Sequence, residues 1–535
     1  MKHTAATLYV GGTILPLTGR LARAAGLLVE DGKIRAVGDP GTLAALCPRA
    51  RRVELHGAAV LPGFVDGHSH FSMALQLGPT ADLGSCGSFE AIGDALAAFG
   101  RSQGSDVILG WGYDHIFLPG GAHPTRQLLD QVSDRLPVLA VHSSGHVGVA
   151  NSAALTLAGI TETSPVPRGG SVGRDPETGA LTGYLEETAL FQCLNALRAR
   201  QQIDPARALE AAQQRYLSHG ITTAQDGYSG RATWETLLGL KDRLRVDVVV
   251  YPGLDEDARQ LVRAYAGCTR AYTGRVKLGG YKIQLDGSPQ SRTAWLSRPY
   301  VGGDTCGLPR MDDAAAQALV DAAAEDRLQL LAHCNGDAAS EQLLRCWEKR
   351  FAADPGLLEA DLRPVMIHCQ TVRRDQLDRM AALGMVPSVF VGHVYYWGDV
   401  HLRNLGPDRG GHISPCRWML EAGLPLNLHQ DFPVTRPDML HSIWCAVNRL
   451  SRTGQALGPD QRIDPYDAFR AACWGGAYGY HEENQKGTLE PGKRADLVIL
   501  DRDPFTVPPT SLRDLRILAT IKDGVEVYRA QSWNR

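Results

Sequence analysis

The stretch Ala58-Ala59-Val60-Leu61-Pro62-Gly63-Phe64-Val65-Asp66-Gly67-His68-Ser69-His70 decides how this chain is read. Its apolar opening reads as a buried strand. Side chains alternate across a strand, so His68 and His70 point the same way with only Ser69 between them. Two imidazoles converging at a strand end make a chelate for a borderline metal such as zinc. Among seventeen histidines an H-x-H pair also arises by chance. Its weight comes from what the rest of the chain supplies, and in what order.

Strand-like runs follow at 220–226, 245–252, 278–286, 328–333, 364–369, 385–391 and 424–430, with 59–68 as the first. Between them lie Ala-, Leu- and charge-rich segments at helical spacing, such as 311–325 and 374–383. This alternation is the signature of a parallel α/β fold. Eight runs predict a (β/α)8 TIM-type barrel, whose reactive residues belong at the C-terminal ends of its strands. The stretch from about 72 to 218 is too long for one βα connection and has its own strand candidates at 106–111 and 137–142. It is expected to form an inserted subdomain capping the barrel mouth. Both ends of the chain hold short strands with hairpin signals, Asp31-Gly32 and Asp523-Gly524. They are expected to pair into one small β-sandwich domain. The expected layout is therefore 1–58 and 485–535 for that domain, and 59–484 for the barrel with its insertion.

Composition narrows the class. In 535 residues, 44% hydrophobic and 21% charged content is ordinary for a globular protein with a sizeable core. A formal net charge of -3 gives no reason to expect nucleic acid or an anionic membrane as a partner. No eighteen-residue apolar stretch occurs, and Met1-Lys2-His3-Thr4 does not begin a signal-peptide pattern. The eleven cysteines are odd in number and form no C-x-x-C pair. Cys334 and Cys369 sit in strand-like runs, where a thiol behaves as a small buried hydrophobe. The expectation is a reduced, cytoplasmic protein.

The remaining strand ends carry a polar set. Lys282 lies inside the fourth strand, His333 ends the fifth, His368 ends the sixth, and Asp431 follows the eighth. An unpaired ammonium in a barrel interior is costly, and burial lowers a lysine pKa. A neutral amine can react with carbon dioxide to give a carbamate, an anionic donor able to bridge two cations about 3.5–4 Å apart. A structural ion pair with Asp286 is the competing reading of Lys282. The histidines offer neutral nitrogen ligands, and Asp431 suits a general base, although it could also cap the loop before Pro433. Any one histidine is most simply a satisfied core residue; four of them at strand ends are not.

With these residues in view, the chain resembles the metal-dependent amidohydrolase superfamily, in its N-substituted formamide deformylase-like (YtcJ-like) branch. The resemblance rests on 61–70, on Asp286-Gly287-Ser288 with Ser291-Arg292-Thr293-Ala294, and on His333-Cys334-Asn335-Gly336-Asp337. It continues in His368-Cys369-Gln370, Gln430-Asp431-Phe432-Pro433 and 486–496, and in the insertion at Gly110-Trp111-Gly112-Tyr113-Asp114. It implies that His68 and His70 bind one metal and that His333 and His368 bind another. It also implies that Lys282 bridges as its carbamate and that Asp431 is both ligand and proton shuttle. The ligand set suits one or two divalent ions, zinc first, with manganese, iron or cobalt as alternatives. The family's tendency to dimerise implies a homodimer. Three positions depart from the family pattern: Ile367 stands where a glutamate is common, His429-Gln430-Asp431 replaces Gly-Ser-Asp, and an aromatic run occupies 391–397.

Substrate contacts are expected from Trp111, Tyr113, His146, Arg292, His393, Tyr395 and His429; the competing roles are ordinary packing for the aromatic residues, a turn for His146, a structural ion pair for Arg292 and a buried structural histidine for His429. The expected activity is metal-assisted hydrolysis of a C–N bond in a small amide, formamide or cyclic amide, with Asp431 as base and acid. Ester or C–C cleavage, isomerisation or decarboxylation on the same rim is the alternative, and a catalytically inactive scaffold is a further one.

Overall fold

The computed structural model describes residues 6–103, 106–167, 169–201 and 204–533. They fall into two compact units. The first comprises residues 1–72, 213–431 and 437–535.

The first unit is α/β. Runs such as Val248-Val249-Val250 are wholly buried, as expected of parallel strands covered on both faces. One parallel sheet has the order Val276–Leu278, Asp247–Pro252, Ile221–Ser229, Phe64–Val65. The other runs Gly280–Gln284, Gln329–Cys334, Val365–His368, Val386–Val389, Asn427–Leu428. Helices such as Asp313–Glu325, capped by the Asp312 carboxylate on the Ala315 N–H, and Arg374–Ala382 connect successive strands.

All eight predicted runs contain strand, but they are not paired as one closed ring. The run 278–286 breaks at Gly279, where a Cβ would collide with the Tyr251 ring, and its two sides enter different sheets. The seams carry isolated hydrogen bonds, Leu254 N–H to Lys282 O at 2.9 Å at one, and Gly67 N–H to Leu428 O at 3.2 Å with Asp431 N–H to His68 O at 3.3 Å at the other. The first run also divides. Pro62 has no N–H to continue a ladder and Gly63 passes directly against Thr222. Ala59–Pro62 consequently pairs antiparallel with Leu497–Leu500, and only Phe64–Val65 joins the parallel sheet.

Strands from both ends of the chain share a five-stranded sheet, in the order Thr13–Ile14, Ala59–Pro62, Leu497–Leu500, Ile517–Lys522, Val525–Arg529. A four-stranded sheet formed by residues 7–54 packs with it around Tyr9, Leu27, Val60, Leu497, Ile499 and Ile521. Beneath lies a buried ion network. Asp247 Oδ2 accepts from Lys486 and Lys522, each at 2.6 Å, and from Arg494 at 2.9 Å. Lys522 also pairs with Asp496, and Lys486 with Glu482.

The second unit, residues 73–212 with 432–436, is built on a six-stranded sheet. Its order is Gly170–Arg174, Leu181–Glu187, Val147–Ala150, Val138–His142, Ile108–Tyr113, Ala81–Asp82. The expected strands at 106–111 and 137–142 are there as a parallel pair, with Ile108 opposite Val138. Asn151 is fully occupied within this unit: its Oδ1 accepts the Ala154 and Val138 N–H groups, and its Nδ2 donates to Ser133 O and Leu136 O.

Among the described residues no helix is long and apolar enough to cross a membrane. All eleven cysteines are free.

Breaking a buried charge pair from one side typically costs about 3–5 kcal/mol. Asp247→Asn, which removes the shared anion from Lys486 and Lys522, should lower the urea midpoint correspondingly. An unchanged midpoint would show that the network does not hold the terminal strands.

Candidate metal centre

The donors gather at the carboxyl ends of the parallel strands. Nε2 of His68 is 3.5 Å and Nε2 of His70 3.3 Å from Asp431 Oδ1, and Nε2 of His368 is 4.0 Å from Asp431 Oδ2. Lys282 Nζ lies 3.3 Å from His68 Nε2. The rings of His333 and His368 meet edge to face at 4.5 Å. All six residues expected as metal ligands thus belong to one cluster. Two of them stand on strained backbone: φ is +77° at His368 and +56° at Asp431, the left-handed region that few non-glycine residues adopt.

Each imidazole is oriented by what its Nδ1 meets, and acceptor-only partners decide the tautomers. His70 Nδ1 is 2.7 Å from Gly227 O, so Nδ1 carries the proton and Nε2 is a bare lone pair. His68 Nδ1 faces Gln225 Oε1, because the Gln225 amide donates to Gly67 O and to the Tyr480 hydroxyl. His333 Nδ1 donates to Asp286 Oδ1 at 3.0 Å. For His368 the logic passes through two residues. The Ser388 hydroxyl donates to Gly67 O and accepts from His429 Nδ1 at 2.9 Å; His429 Nε2 then accepts from His368 Nδ1 at 3.2 Å. All four histidines therefore present Nε2 as a lone pair, three of them toward a carboxylate. Acceptors facing acceptors in a largely buried site are stabilised by a positive charge between them, whether a proton on His70, the Lys282 ammonium or a divalent ion.

The electrostatics agree. Burial pushes the Lys282 ammonium down to about 7. Burial and the nearby Lys282 hold His68 well below the usual histidine range, and burial with His333 does the same for His368. Burial raises Asp431, but His70 and the other imidazoles outweigh it and keep the group ionised. Burial lowers His70, yet Asp431 holds its pKa above the ordinary value, so a proton and a metal ion compete for the same Nε2. The donor set, neutral nitrogen plus carboxylate with orienting partners, fits a divalent ion.

Several orienting residues were not expected to act here. Asp286, the competing partner for Lys282, instead accepts from His333 and from the N–H groups of Asn335 at 3.0 Å, Gly336 at 2.7 Å and Trp295 at 3.1 Å. Gln225 and Gly227 sit on a buried strand at i, i+2 spacing, where polar or absent side chains in an apolar run were the available signal. His429 accounts for one departure from the family pattern, since it positions His368.

The other expected contacts lie in different settings. His393 is buried, 3.1 Å by Nδ1 from His401 Nε2, and its ring meets the edge of Phe390. Tyr395 packs against His441 and Trp444. Arg292 is exposed and donates to Asn404 Oδ1 at 3.0 Å. Trp111, Tyr113 and His146 belong to the second unit. There the Trp111 indole donates to Pro433 O, Tyr113 is wholly buried with its hydroxyl on His123, and exposed His146 pairs with Glu187.

Comparison with known proteins identifies the family. The profile of the amidohydrolase family Amidohydro_3 matches residues 51–528. The chain belongs to the amidohydrolase family, enzymes that hydrolyse carbon–nitrogen bonds. It is 27% identical to the N-substituted formamide deformylase of Arthrobacter pascens, over 97% of this chain and 98% of that one. It is 28% identical to Protein LONG AFTER FAR-RED 3 of Arabidopsis thaliana, over 97% and 91%. The crystal structure of a metal-dependent hydrolase from Pyrococcus horikoshii OT3, itself uncharacterized, superposes with a TM-score of 0.72 at 25% identity. That match covers 94% of this chain and 99% of the other.

Two substitutions test the orienting partners. A Cβ at Gly227 would stand 2.6 Å from His68 Cε1, so Gly227→Ala should displace that ring and lower bound metal without changing the far-UV circular dichroism. Asp286→Asn should weaken metal binding by about 10–100-fold, the usual effect of losing an orienting partner. Unchanged metal content in both variants would refute the orienting roles.

Proposed function

We propose that this enzyme is a metal-dependent hydrolase of a non-peptide C–N bond in a small amide, formamide or cyclic amide. The observation that carries the reading is the set of four Nε2 atoms left free by fixed Nδ1 partners, three of them held around Asp431 and the fourth, on His333, beside His368. His68, His70 and Asp431 would hold one ion and His333 and His368 a second, with Lys282, as its N6-carboxylate, between them. Zinc suits this nitrogen-rich set.

A divalent ion bound there polarises the carbonyl oxygen and makes water acidic enough to attack near neutral pH. The chain's own residues do the rest. Asp431 is ionised, and its Oδ1 has no hydrogen-bond donor, so it can accept the proton of the attacking water. The same carboxyl then returns that proton to the departing nitrogen. The left-handed backbone at Asp431 aims the carboxylate inward among the imidazoles. Phe390, which lies between His429 and His393, supplies apolar wall for the organic part of the substrate. The name of the Arthrobacter relative supports a formamide within the substrate class.

We read the two parallel sheets as arcs of one (β/α)8 barrel, supported by the hydrogen bonds at both seams. Residues 1–58 and 485–535 would then form one terminal β domain and 72–218 an insertion. Eleven free thiols suit the reducing cytoplasm.

Elemental analysis with an activity screen tests the proposal. Chelator-stripped protein should be inactive and recover with zinc, and N-formyl and N-acyl amines should turn over faster than matched esters. Asp431→Asn should retain metal and lose about 10²–10⁴-fold in kcat, the range for a lost general acid–base. Full turnover by that variant would remove Asp431 from the proton pathway, and a preference for esters would overturn the C–N assignment.

A further inference from the structure

The second compact unit holds a histidine cluster of its own. Ile108–Tyr113 and Val138–His142 run parallel, with His142 opposite Tyr113. Asp114 and His115, just past the first strand, therefore meet His142 at the end of the second. His115 Nδ1 is 3.1 Å from His142 Nε2. Asp114 Oδ1 is 3.4 Å from His142 Nε2 and 3.7 Å from His115 Nδ1. A tetrahedral zinc with bonds of about 2.0–2.1 Å separates its donors by roughly 3.3–3.4 Å. The three separations scatter around that value, so these atoms outline one face of such a polyhedron.

Hydrogen bonding alone accounts for them less well. One shared proton satisfies only the imidazole pair, and both contacts to the carboxylate are longer than an ordinary N–H···O bond. A cation satisfies all three at once. The surroundings hold the donors in place. Asp114 Oδ1 also accepts the Ile116 N–H at 3.0 Å, which fixes the carboxylate while leaving it a further lone pair. His123, paired through Nδ1 with the buried Tyr113 hydroxyl, stacks on His115 at 4.3 Å and 18°. The Tyr113 ring meets His142 edge to face at 5.3 Å. The Ser144 N–H donates to His142 Nδ1 at 3.0 Å, which puts the ring proton on Nε2; an ion binding at Nε2 would shift that proton to Nδ1, where the Ser144 hydroxyl, 2.9 Å away, would accept it. His115 is one-third exposed, so the face is reachable from solvent.

We propose that Asp114, His115 and His142 form a second divalent-metal site, selective for borderline ions such as zinc, with a fourth position open to water or a small ligand. It shares no residue with the centre around Asp431 and does not depend on the activity assigned there.

The test uses full-length protein stripped by chelator and titrated with Zn²⁺ against a chromophoric competitor, with elemental analysis of each sample. Asp114→Asn and His142→Ala should each bind one zinc per chain fewer than the unmodified protein. The same difference should separate His68→Ala from the double variant His68→Ala/His142→Ala, which removes any contribution of the other centre. Equal zinc content with and without His142 would overturn the proposal. If the variants fold poorly, crystals of the unmodified protein grown with stoichiometric zinc decide the matter. Anomalous density between the three donors supports the site; its absence there leaves only a hydrogen-bonded Asp–His pair and refutes it.

Discussion

Lone pairs that face one another in a largely buried site organise this protein. Four imidazoles surrender their Nδ1 protons to a carbonyl, an amide oxygen, a carboxylate and a second imidazole, each fixed by the backbone or by its own hydrogen bonds. What remains on the inner side is an array of Nε2 acceptors beside a carboxylate. Such an array is unstable in low dielectric unless a cation completes it. The surrounding strands, the strained turns at His368 and Asp431 and the close approach at Gly227 all serve that geometry.

The orienting partners explain why substitution within this site is not conservative. Gln225 and Asp286 touch none of the inner lone pairs, yet each determines which nitrogen of a ligand histidine is available. Asp286 does more, accepting the N–H groups of Asn335 and Gly336 just after the His333 strand and of Trp295 in the loop that follows its own strand. His429 shows the same principle in an unusual position: a residue that departs from the family pattern takes part in holding His368, through Ser388. Its pKa, driven down to about 3 by burial, keeps it neutral, as a relay that must both accept and donate requires.

The terminal sheets solve a different problem with charge. Asp247 sits at the start of a parallel strand and is met by cations from the C-terminal segment, Lys486, Arg494 and Lys522. A wholly buried carboxylate needs that many partners, and the partners are distant in sequence. The network therefore ties the last fifty residues to the parallel sheets by electrostatics as well as by the shared strand Ala59–Pro62.

Taken alone, the sequence determined the α/β class, the eight strand runs and the six polar residues that the fold brings into one cluster. Parallel strands buried on both faces leave continuous apolar runs, and a histidine, lysine or aspartate ending such a run stands out. It could not determine the breaks at Pro62-Gly63 and Gly279-Gly280, because an apolar run does not state which neighbour it pairs with. Nor could it assign Gln225, Gly227, Asp286 or Ser388, whose roles exist only where strands far apart in the chain become adjacent. The same holds for Asp114, His115 and His142: twenty-seven residues separate the two histidines, and only strand pairing makes them neighbours. Residue chemistry is local and can be read along the chain; the acceptor opposite each ring nitrogen is supplied by the fold.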